Sequence, residues 1–266
     1  MKRHAQVRRY LVRFNPPDLP RIETDCVIVG VGAAGLRAAV EIAPTHSVAI
    51  LTKASLTDSN SYAAQGGIAA VMTGDDSLEA HIQDTLRAGG GMCDETVVRR
   101  VVGEGPARVR ELIDWGAQFD RADGGFALTR EGGHSAPRIL RARGDATGRE
   151  ITGVLVRKAQ ETANIDLLER TFVLDLLTLH PGGEVVGVLA WQPDRGPFVI
   201  RAKQTILATG GLGQIYRETT NPEVATGDGL AMAYRAGVAL VDLEFIPFHP
   251  TTLYIAGASR QLISET

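Results

Sequence analysis

The chain has only two cysteines, Cys26 and Cys93, too few and too irregularly placed for a disulfide framework. We therefore expect reduced thiols and a location in the cytoplasm. The formal net charge of −3 gives no general attraction to nucleic acid. No apolar run approaches the roughly 20 residues that a membrane-spanning helix needs, and the N-terminus lacks the apolar centre of a signal peptide. The sequence thus predicts neither a nucleic-acid partner nor a membrane partner.

The composition indicates a globular chain with a basic extension. Its 266 residues are 44% hydrophobic and 22% charged, which is enough apolar material for one large core or two smaller ones. The first 24 residues differ, because they are basic and are interrupted by Pro16, Pro17 and Pro20. We predict a flexible, disordered basic arm over residues 1–24, in preference to a binding arm, since termini of this kind are commonly poorly ordered.

The most informative segment is VIVGVGAAGL, residues 27–36. An apolar, strand-like run leads into Gly30, Gly32 and Gly35, in the GxGxxG spacing that cradles a nucleotide pyrophosphate. Gly30 would allow a tight turn, Gly32 a close approach of the phosphates, and Gly35 close packing of a helix whose N-terminus attracts them. A helical run and the apolar SVAIL at 47–51 complete a predicted βαβ unit. The alternative is a purely structural turn.

One position departs from the dinucleotide pattern. The second strand of such a unit normally ends in an Asp or Glu that binds the ribose hydroxyls, whereas Thr52 and Lys53 stand at this place. A hydroxyl can still bond a ribose, and the ammonium of Lys53 can approach a phosphate. The departure therefore argues against a standard NAD site and leaves the identity of the nucleotide open.

The remaining pattern predicts an α/β fold. Residues 55–71 are small and polar, as in a loop that makes close contacts, and residues 77–119 have helical periodicity. From about residue 167 the periodicity is that of strands, which we predict at DLLERTFVLDLL, EVVGVLAW, FVIRA and QTILATGG. The predicted fold is a Rossmann-like parallel sheet to which an antiparallel meander returns the chain.

Two further features follow the return strand. Ala208, Gly210 and Gly211 form a second glycine-rich strand end, and the segment TGDGLAMAYRAG at 226–237 places Asp228 at the start of a helix. Ligands of doubly wound sheets lie at the carboxyl ends of the strands. Together, these features predict a large ligand at that edge.

With these motifs the sequence resembles the flavoproteins of the succinate dehydrogenase and fumarate reductase superfamily, and within it the family of L-aspartate oxidases. The resemblance runs from about Asp25 to Glu265 and rests on motifs in a fixed order. The motifs are VGVGAAGL (29–36), YAAQGGIAA (62–70), LTREGGHSAPRILRARGDATGREI (128–151), ILATGG (206–211), TGDGLAMAYRAG (226–237) and EFIPFHPTTLYIAGASRQLISE (244–265).

The resemblance implies FAD as the cofactor, with Lys53 beside the adenosine end and the loop at 60–67 around the flavin. In the respiratory relatives a histidine of this loop carries the flavin covalently, whereas Asn60 stands there in this chain, which implies non-covalent FAD. The implied domains are an FAD-binding domain over 25–240 and the start of an incomplete α+β capping domain over 241–266. The implied cofactor-binding residues are Gly30, Val31, Gly32, Ala33, Ala34, Gly35, Lys53, Asn60, Ser61, Tyr62, Ala63, Ala64, Gln65, Gly66, Gly67, Ala208, Gly210, Gly211 and Asp228.

Charge suggests the substrate chemistry. A dicarboxylate needs cationic or donor partners, and oxidation of an amino acid at Cα needs an unprotonated amine and a hydride directed to the flavin. Residues 129–149 place Glu131 among several arginines and predict an anion pocket with one carboxylate inside it. By resemblance, Glu131 faces the substrate ammonium. The arginines are Arg130, Arg138, Arg141, Arg143 and Arg149, and for Arg141 and Arg143 we prefer the interpretation of a solvated face.

A histidine near the C-terminus is the second candidate for substrate binding. His249 precedes Pro250, which disfavours a helix and should present the imidazole from a loop. By resemblance, His249 binds a substrate carboxylate, with Thr251 and Glu265 in the same pocket. The other histidines lack the spacing of metal ligands, so no metal site is predicted.

The resemblance implies oxidation of L-aspartate to iminoaspartate, with oxygen or fumarate as electron acceptor. This is the first step of de novo NAD biosynthesis, and it implies the next enzyme of quinolinate synthesis as a partner. One alternative is a soluble fumarate reductase or succinate dehydrogenase-type flavoprotein, which Asn60 and the EGGHS motif disfavour. The other is a non-catalytic FAD-binding remnant, because relatives continue past residue 266 into a part with the catalytic arginine. We therefore expect the 266-residue chain alone to be nearly inactive.

Overall fold

The computed structural model describes residues 8–249, 251–253 and 261–263. In chain order, the helices and strands are β1 (Arg21–Val29), α1 (Ala33–Ile42), β2 (Val48–Leu51), α2 (Asn60–Ala63), β3 (Ile68–Ala69), α3 (Leu78–Ala88), α4 (Glu95–Asp114), β4 (Arg121–Ala122), β5 (Gly125–Phe126), β6 (Ile139–Leu140), α5 (Thr147–Glu161), β7 (Ile165–Leu168), β8 (Phe172–Thr178), β9 (Val185–Gln192), β10 (Gly196–Leu207), α6 (Asp228–Ala236), β11 (Thr252–Leu253) and β12 (Gln261–Leu262). The described chain forms two compact units. The first comprises residues up to 61 together with 155–261, and the second comprises residues 62–154 and those from 262 onwards.

The first unit is built on a six-stranded sheet with the strand order β7-β2-β1-β10-β9-β8. Strand β1 is parallel to both β2 and β10, and β2 is parallel to β7. Strand β9 is antiparallel to β10 and to β8. The predicted fold is thus confirmed, because the meander β8–β9–β10 brings the chain back beside the first strand of a parallel βαβ sheet.

The separate strands predicted at FVIRA and QTILATGG are wrong, since they form one strand, β10. Its first half pairs with β9 over residues 196–201, and residues 199–207 pair with β1, so hydrogen bonding continues through the polar middle of the segment. Polar side chains there have partners across the sheet. The Lys203 ammonium, for example, lies 2.6 Å from the Asp25 carboxylate.

The N-terminal segment differs from the predicted flexible arm. Strand β1 begins at Arg21, and the residues before it lie against the meander. The Arg9 guanidinium donates from Nε to the Thr178 hydroxyl at 2.8 Å. Apolar side chains between the basic residues cover one face of the sheet, and this burial explains the difference. The partly buried Tyr10, Phe14 and Leu19 pack against the buried Leu177, Leu189 and Val199.

Asp175 in β8 connects this segment to helix α6. Its side chain is fully buried. One carboxylate oxygen accepts from the backbone N–H of Leu11 at 2.6 Å, and the other accepts from Nε of Arg235 at 2.6 Å. The charge of Asp175 is therefore compensated inside the fold, as a buried carboxylate requires.

The edge of the sheet where a ligand is predicted is formed by three neighbouring strands. Strands β2, β1 and β10 end at Leu51, Val29 and Leu207, and their parallel register brings these ends together. The core below this edge is apolar. It contains Val27, Ala49, Phe198 and Ile200 of the sheet and Met232 of α6. Loops leaving the three strands are thus held by rigid elements.

The second unit is mainly helical. Helix α3 begins at the cap Ser77, whose hydroxyl accepts from the Ala80 N–H at 3.1 Å, and α4 begins at Asp94, whose carboxylate accepts from the Thr96 N–H at 2.9 Å. Two short antiparallel pairs, β3 with β6 and β4 with β5, complete this unit. Across the part of the chain that the structure describes, no helix combines the length and apolar character needed to cross a membrane.

Candidate functional site

The first glycine loop is packed too tightly for side chains. Gly30 has φ +113°, and a Cβ atom there would lie 2.2 Å from the carbonyl oxygen of Ala208. A Cβ on Gly35 would lie 2.0 Å from the Gly30 carbonyl oxygen. Gly30 therefore makes the tight turn and Gly35 allows the close approach of α1, as the spacing predicts. The Ala33 N–H, in the first turn of α1, donates to the Ser61 hydroxyl at 3.0 Å.

A cleft of about 420 Å³ opens at the carboxyl edge of the sheet. The segment at 30–34 and the second glycine-rich strand end at 208–210 both line it. Thr52 and Asp228 also line it. Glycine backbone and the N-terminus of the ten-residue helix α1 suit phosphate groups, since both offer N–H donors without side chains in the way.

Two residues that line this cleft form an ion pair. The Lys53 ammonium, after β2, contacts both the Asp228 carboxylate and the Thr226 hydroxyl. The Thr226 hydroxyl in turn donates to the Asp228 carboxylate at 2.7 Å. Asp228 follows Gly227, whose φ of +77° lets the chain turn into α6. Lys53 stands where a ribose-binding carboxylate is usual, and it is paired with a carboxylate at the start of α6.

A second cleft in the same unit has a volume of about 540 Å³. Asn60 lines both clefts, and Gly211, Phe245 and His249 line this one. Nδ1 of His249 lies 3.1 Å from the Thr251 hydroxyl, so the two predicted substrate residues are neighbours. The imidazole is exposed, as expected of a loop residue before proline. The third residue predicted for this pocket, Glu265, lies outside the described residues.

Glu131 lies in the second unit and is paired with Arg141. An Oε1 oxygen of Glu131 is 2.6 Å from Nη2 of Arg141, and the two side chains are 29% and 11% exposed. The interpretation of Arg141 as part of a solvated face is therefore wrong, because its side chain, directly after strand β6, is largely buried and paired with the carboxylate. Arg143, in contrast, is 68% exposed and contacts Glu150 at 3.2 Å, which confirms the solvated interpretation.

Arg138 does not belong to an anion pocket, contrary to prediction. It is fully buried, and its Nε and Nη2 atoms donate to the two oxygens of Asp76, both at 2.8 Å. Its Nη1 atom donates to Asp84 at 2.6 Å. Two carboxylates thus already neutralise this guanidinium, which leaves no charge for a substrate. Arg130 and Arg149 are exposed.

Hydrogen bonds in this cluster shift the pKa values of its carboxyl groups. The hydroxyl of Ser135, and after it Arg138, holds the pKa of Asp84 well below its usual range. The Arg138 guanidinium lowers the pKa of Asp76 in the same way. Burial lowers the pKa of the neighbouring His81, which favours its neutral form.

The sequence profile of the FAD binding domain family matches residues 25–266. The chain belongs to this FAD-binding family. Among curated proteins, it is 47% identical over 253 residues to an L-aspartate oxidase of Streptomyces coelicolor, a match over 92% of this chain and 43% of that protein. It is 47% identical over 242 residues to the chloroplastic L-aspartate oxidase of Arabidopsis thaliana, with coverages of 90% and 37%. The chain thus spans less than half the length of these curated relatives.

Solved structures with the same fold include two fumarate reductases. The open conformation of a flavocytochrome c3 fumarate reductase superposes with a TM-score of 0.80 at 31% identity, over 92% of this chain and 45% of that one. A variant of the E. coli quinol fumarate reductase gives a TM-score of 0.76 at 34% identity, over 81% and 37%. These similarities support FAD as the cofactor of the fold.

The first unit fits this cofactor. FAD carries a pyrophosphate between two large groups, and the glycine loop at the N-terminus of α1 is a suitable phosphate site next to two clefts that share Asn60. The individual cofactor contacts of Gly30, Val31, Gly32, Ala33, Ala34, Gly35, Lys53, Asn60, Ser61, Ala208, Gly210, Gly211 and Asp228 stay predictions. All of these residues lie in the first unit.

The rest of the predicted FAD loop belongs to the second unit and is fixed by its own contacts. The Ala64 carbonyl accepts from the Gly148 N–H at 3.0 Å, and Gln65 lies 3.5 Å from Asp145. A Cβ on Gly67 would lie 2.3 Å from the Ile139 side chain. The glycine is thus required by the β3–β6 pairing, which is a structural reason beside the predicted cofactor contact. Tyr62, Ala63 and Gly66 complete this loop.

Sequence reasoning missed residues that hold these loops. Thr226 joins the pair of Lys53 and Asp228, and Ser135 and Asp84 hold the segment after Glu131. One signal was present for Asp84. It follows His81 by three residues and so shares the buried face of the predicted helix, where an aspartate needs a partner.

Proposed function

We propose that the gene product containing this chain oxidises L-aspartate to iminoaspartate with FAD, using oxygen or fumarate as electron acceptor. The observation that carries the proposal is Glu131 in the REGGHS segment, a partly exposed carboxylate set by Arg141 at 2.6 Å. A carboxylate distinguishes an amino acid, which brings an ammonium group, from a plain dicarboxylate. The 47% identity to curated L-aspartate oxidases supports the same conclusion.

The role proposed for each residue follows from the chemistry of its side chain. Bound FAD supplies the acceptor for the hydride that leaves Cα of the substrate. Glu131 binds the substrate ammonium, and His249 and Thr251 donate hydrogen bonds to a substrate carboxylate. On the basis of the resemblance, Glu265 is proposed to lie near the same pocket. The glycine loop before α1 binds the cofactor phosphates and fixes their position.

The proposed reaction has consequences for partners and place. Iminoaspartate is reactive in water, so the next enzyme of quinolinate synthesis is the proposed recipient of the product. We propose the cytoplasm as the location, because the two cysteines are unpaired thiols that suit a reducing compartment. The step would open de novo NAD biosynthesis.

A fumarate reductase is the second candidate. The solved structures at 31% and 34% identity favour it, because both are fumarate reductases. The Glu131–Arg141 pair also favours this second candidate, because the arginine beside the carboxylate reduces the net negative charge that Glu131 offers to an ammonium. The two candidates differ in whether the substrate carries an amine.

The test is peroxide release by the complete gene product, loaded with FAD, in the presence of oxygen. With L-aspartate we expect turnover of about one per second or faster, the ordinary range of enzymes. Succinate, which has the same two carboxylates and no amine, serves as the control and should release little peroxide. Fumarate reduction by a reduced dye without any oxidation of aspartate would contradict the proposal in favour of the second candidate.

We also expect FAD to be bound without a covalent link, because the amide of Asn60 cannot form the bond that a histidine forms in the respiratory relatives. The measurement is acid precipitation of the loaded protein, followed by absorption spectra of the pellet and the supernatant. The flavin colour should move entirely to the supernatant. Colour in the pellet would contradict the prediction, and the Asn60→His variant is the matched comparison for residual attachment.

A further inference from the structure

We propose that Ser135 and Asp84 are positioning residues for Glu131 and thereby set the preference for an amino acid over a plain dicarboxylate. The inference rests on the proposed function. Asp84, on α3, accepts two hydrogen bonds from Ser135 at one oxygen: 2.7 Å from the backbone N–H and 2.6 Å from the hydroxyl. Ser135 follows Glu131 by four residues, so this contact anchors the segment that carries the carboxylate.

The segment between these residues is a tight turn. The His134 N–H donates to the carbonyl oxygen of Glu131 at 3.3 Å, and Gly133 has a φ of +84°. The turn spans residues 131–134 and Ser135 follows it directly, so the contact with Asp84 fixes one end of a short segment whose other end carries Glu131. Loss of the Ser135 hydroxyl would therefore leave the backbone at Glu131 less firmly held.

The far side of the turn is held by the buried arginine. Nη1 of Arg138 donates to the same Asp84 oxygen at 2.6 Å, and the Arg138 N–H donates to the Thr129 carbonyl at 3.1 Å. Nη1 also lies 3.1 Å from Nδ1 of His134. Arginine only donates, so Nδ1 of His134 is the acceptor in this contact.

The cluster is built to resist movement. The Asp84 side chain is 3% exposed and that of Arg138 is 0% exposed, so the acceptor carboxylate and the guanidinium are shielded from water, whereas Ser135 is exposed. The hydrogen bonds to this carboxylate are charge-assisted, and such bonds are the strong ones. Arg141 then fixes the Glu131 side chain at 2.6 Å. The backbone near Glu131 is thus held through the Ser135–Asp84 contact, and its side chain is held by Arg141.

A positioning role differs from a merely structural role in what a variant loses. If Ser135 acts through Glu131, its hydroxyl matters for substrates with an ammonium and not for fumarate or succinate. If it only supports the fold, all reactions fall together with the amount of folded protein. The ratio of the two activities in one preparation therefore separates the two roles.

The variant is Ser135→Ala in the complete gene product, which removes the hydroxyl and keeps the backbone contact. Since small misplacements can cost up to about 100-fold in rate, we expect kcat/KM for aspartate oxidation to fall roughly 10-fold and that for fumarate reduction to change less than about 2-fold. Ser135→Thr should restore the ratio. The matched control is Ser47→Ala, since Ser47 also makes two hydrogen bonds, both 2.9 Å, to one aspartate oxygen, of Asp25, remote in sequence from the turn.

The double variant with Glu131→Gln supplies the decisive comparison. If Ser135 acts through Glu131, adding Ser135→Ala to Glu131→Gln should produce no further loss of aspartate oxidation. Equal losses in both reactions, or losses that multiply in the double variant, would overturn the positioning role. Failure of the proposed function has a different signature, because the unmodified protein would then not oxidise aspartate. In that case the affinities for aspartate and succinate are measured from changes in the flavin spectrum. If Ser135→Ala leaves the ratio of these two affinities unchanged, the positioning role is overturned.

Discussion

Replacement of Glu131 by glutamine in the complete gene product is expected to lower kcat/KM for L-aspartate about 30- to 1000-fold. The reason is the loss of an ion pair with a partly desolvated ammonium, which corresponds to about 2–4 kcal/mol of transition-state binding. Glutamine has nearly the same shape as glutamate, so the change removes the charge and leaves the packing. The measurement is steady-state peroxide release over a range of aspartate concentrations.

Fumarate reduction by the same Glu131→Gln protein is the internal control, because fumarate has no amine. We expect this activity to stay within about 3-fold of the unmodified protein, the size of a change without a specific charge effect. Arg141→Gln is the matched variant, since it removes the partner at 2.6 Å and keeps the negative charge of Glu131. Equal losses of both activities on Glu131→Gln would remove Glu131 from substrate discrimination.

Replacement of Arg138 by methionine is expected to lower the free energy of unfolding of the second unit by about 3–5 kcal/mol, because it leaves two buried carboxylates without their partner. Domains are stable by only about 5–15 kcal/mol, so the loss is large. Trp115 lies in the second unit and Trp191 in the first. In a Trp191→Phe background, urea unfolding followed by tryptophan fluorescence therefore reports on the second unit.

Arg87→Ala is the control for this prediction, because Arg87 also contacts Asp84. Its Nη1 lies 3.2 Å from Asp84, but its side chain is 74% exposed. Water screens the exposed guanidinium, and Asp84 keeps its hydrogen bonds to Ser135 and Arg138 in this variant, so the free energy of unfolding should change little. Arg138→Lys keeps the charge but loses the bidentate hydrogen-bond geometry. Its loss of free energy of unfolding should lie between those of Arg138→Met and Arg87→Ala. If Arg138→Met is as mild as Arg87→Ala, the cluster does not hold the unit together.

Local patterns predicted the parts of the site that depend on neighbours in sequence. The turn at Gly30 and the close packing at Gly35 follow from a spacing of five residues, and the structure has both. The parallel order of β1 and β2 follows from the βαβ pattern. Such features are determined within about 30 residues, the size of one βαβ unit.

The partners of charged residues were not predictable in the same way. Arg138 pairs with residues 62 and 54 positions earlier in the chain, and an arginine-rich segment looks the same whether it faces water or buried carboxylates. The same limit applies to Lys53, whose partner Asp228 is 175 positions away. Only the tertiary fold decides which of several cations is already neutralised.

The shared carboxylate of Asp175 has a practical consequence for anyone who prepares this protein. The family profile starts at residue 25, and the Leu11 amide that occupies one Asp175 oxygen lies before it. An expression boundary chosen from the profile would keep every residue that the profile describes. It would nevertheless strip the apolar cover from the meander and leave a buried acid half satisfied, so aggregation of such a shortened protein would say nothing about its chemistry.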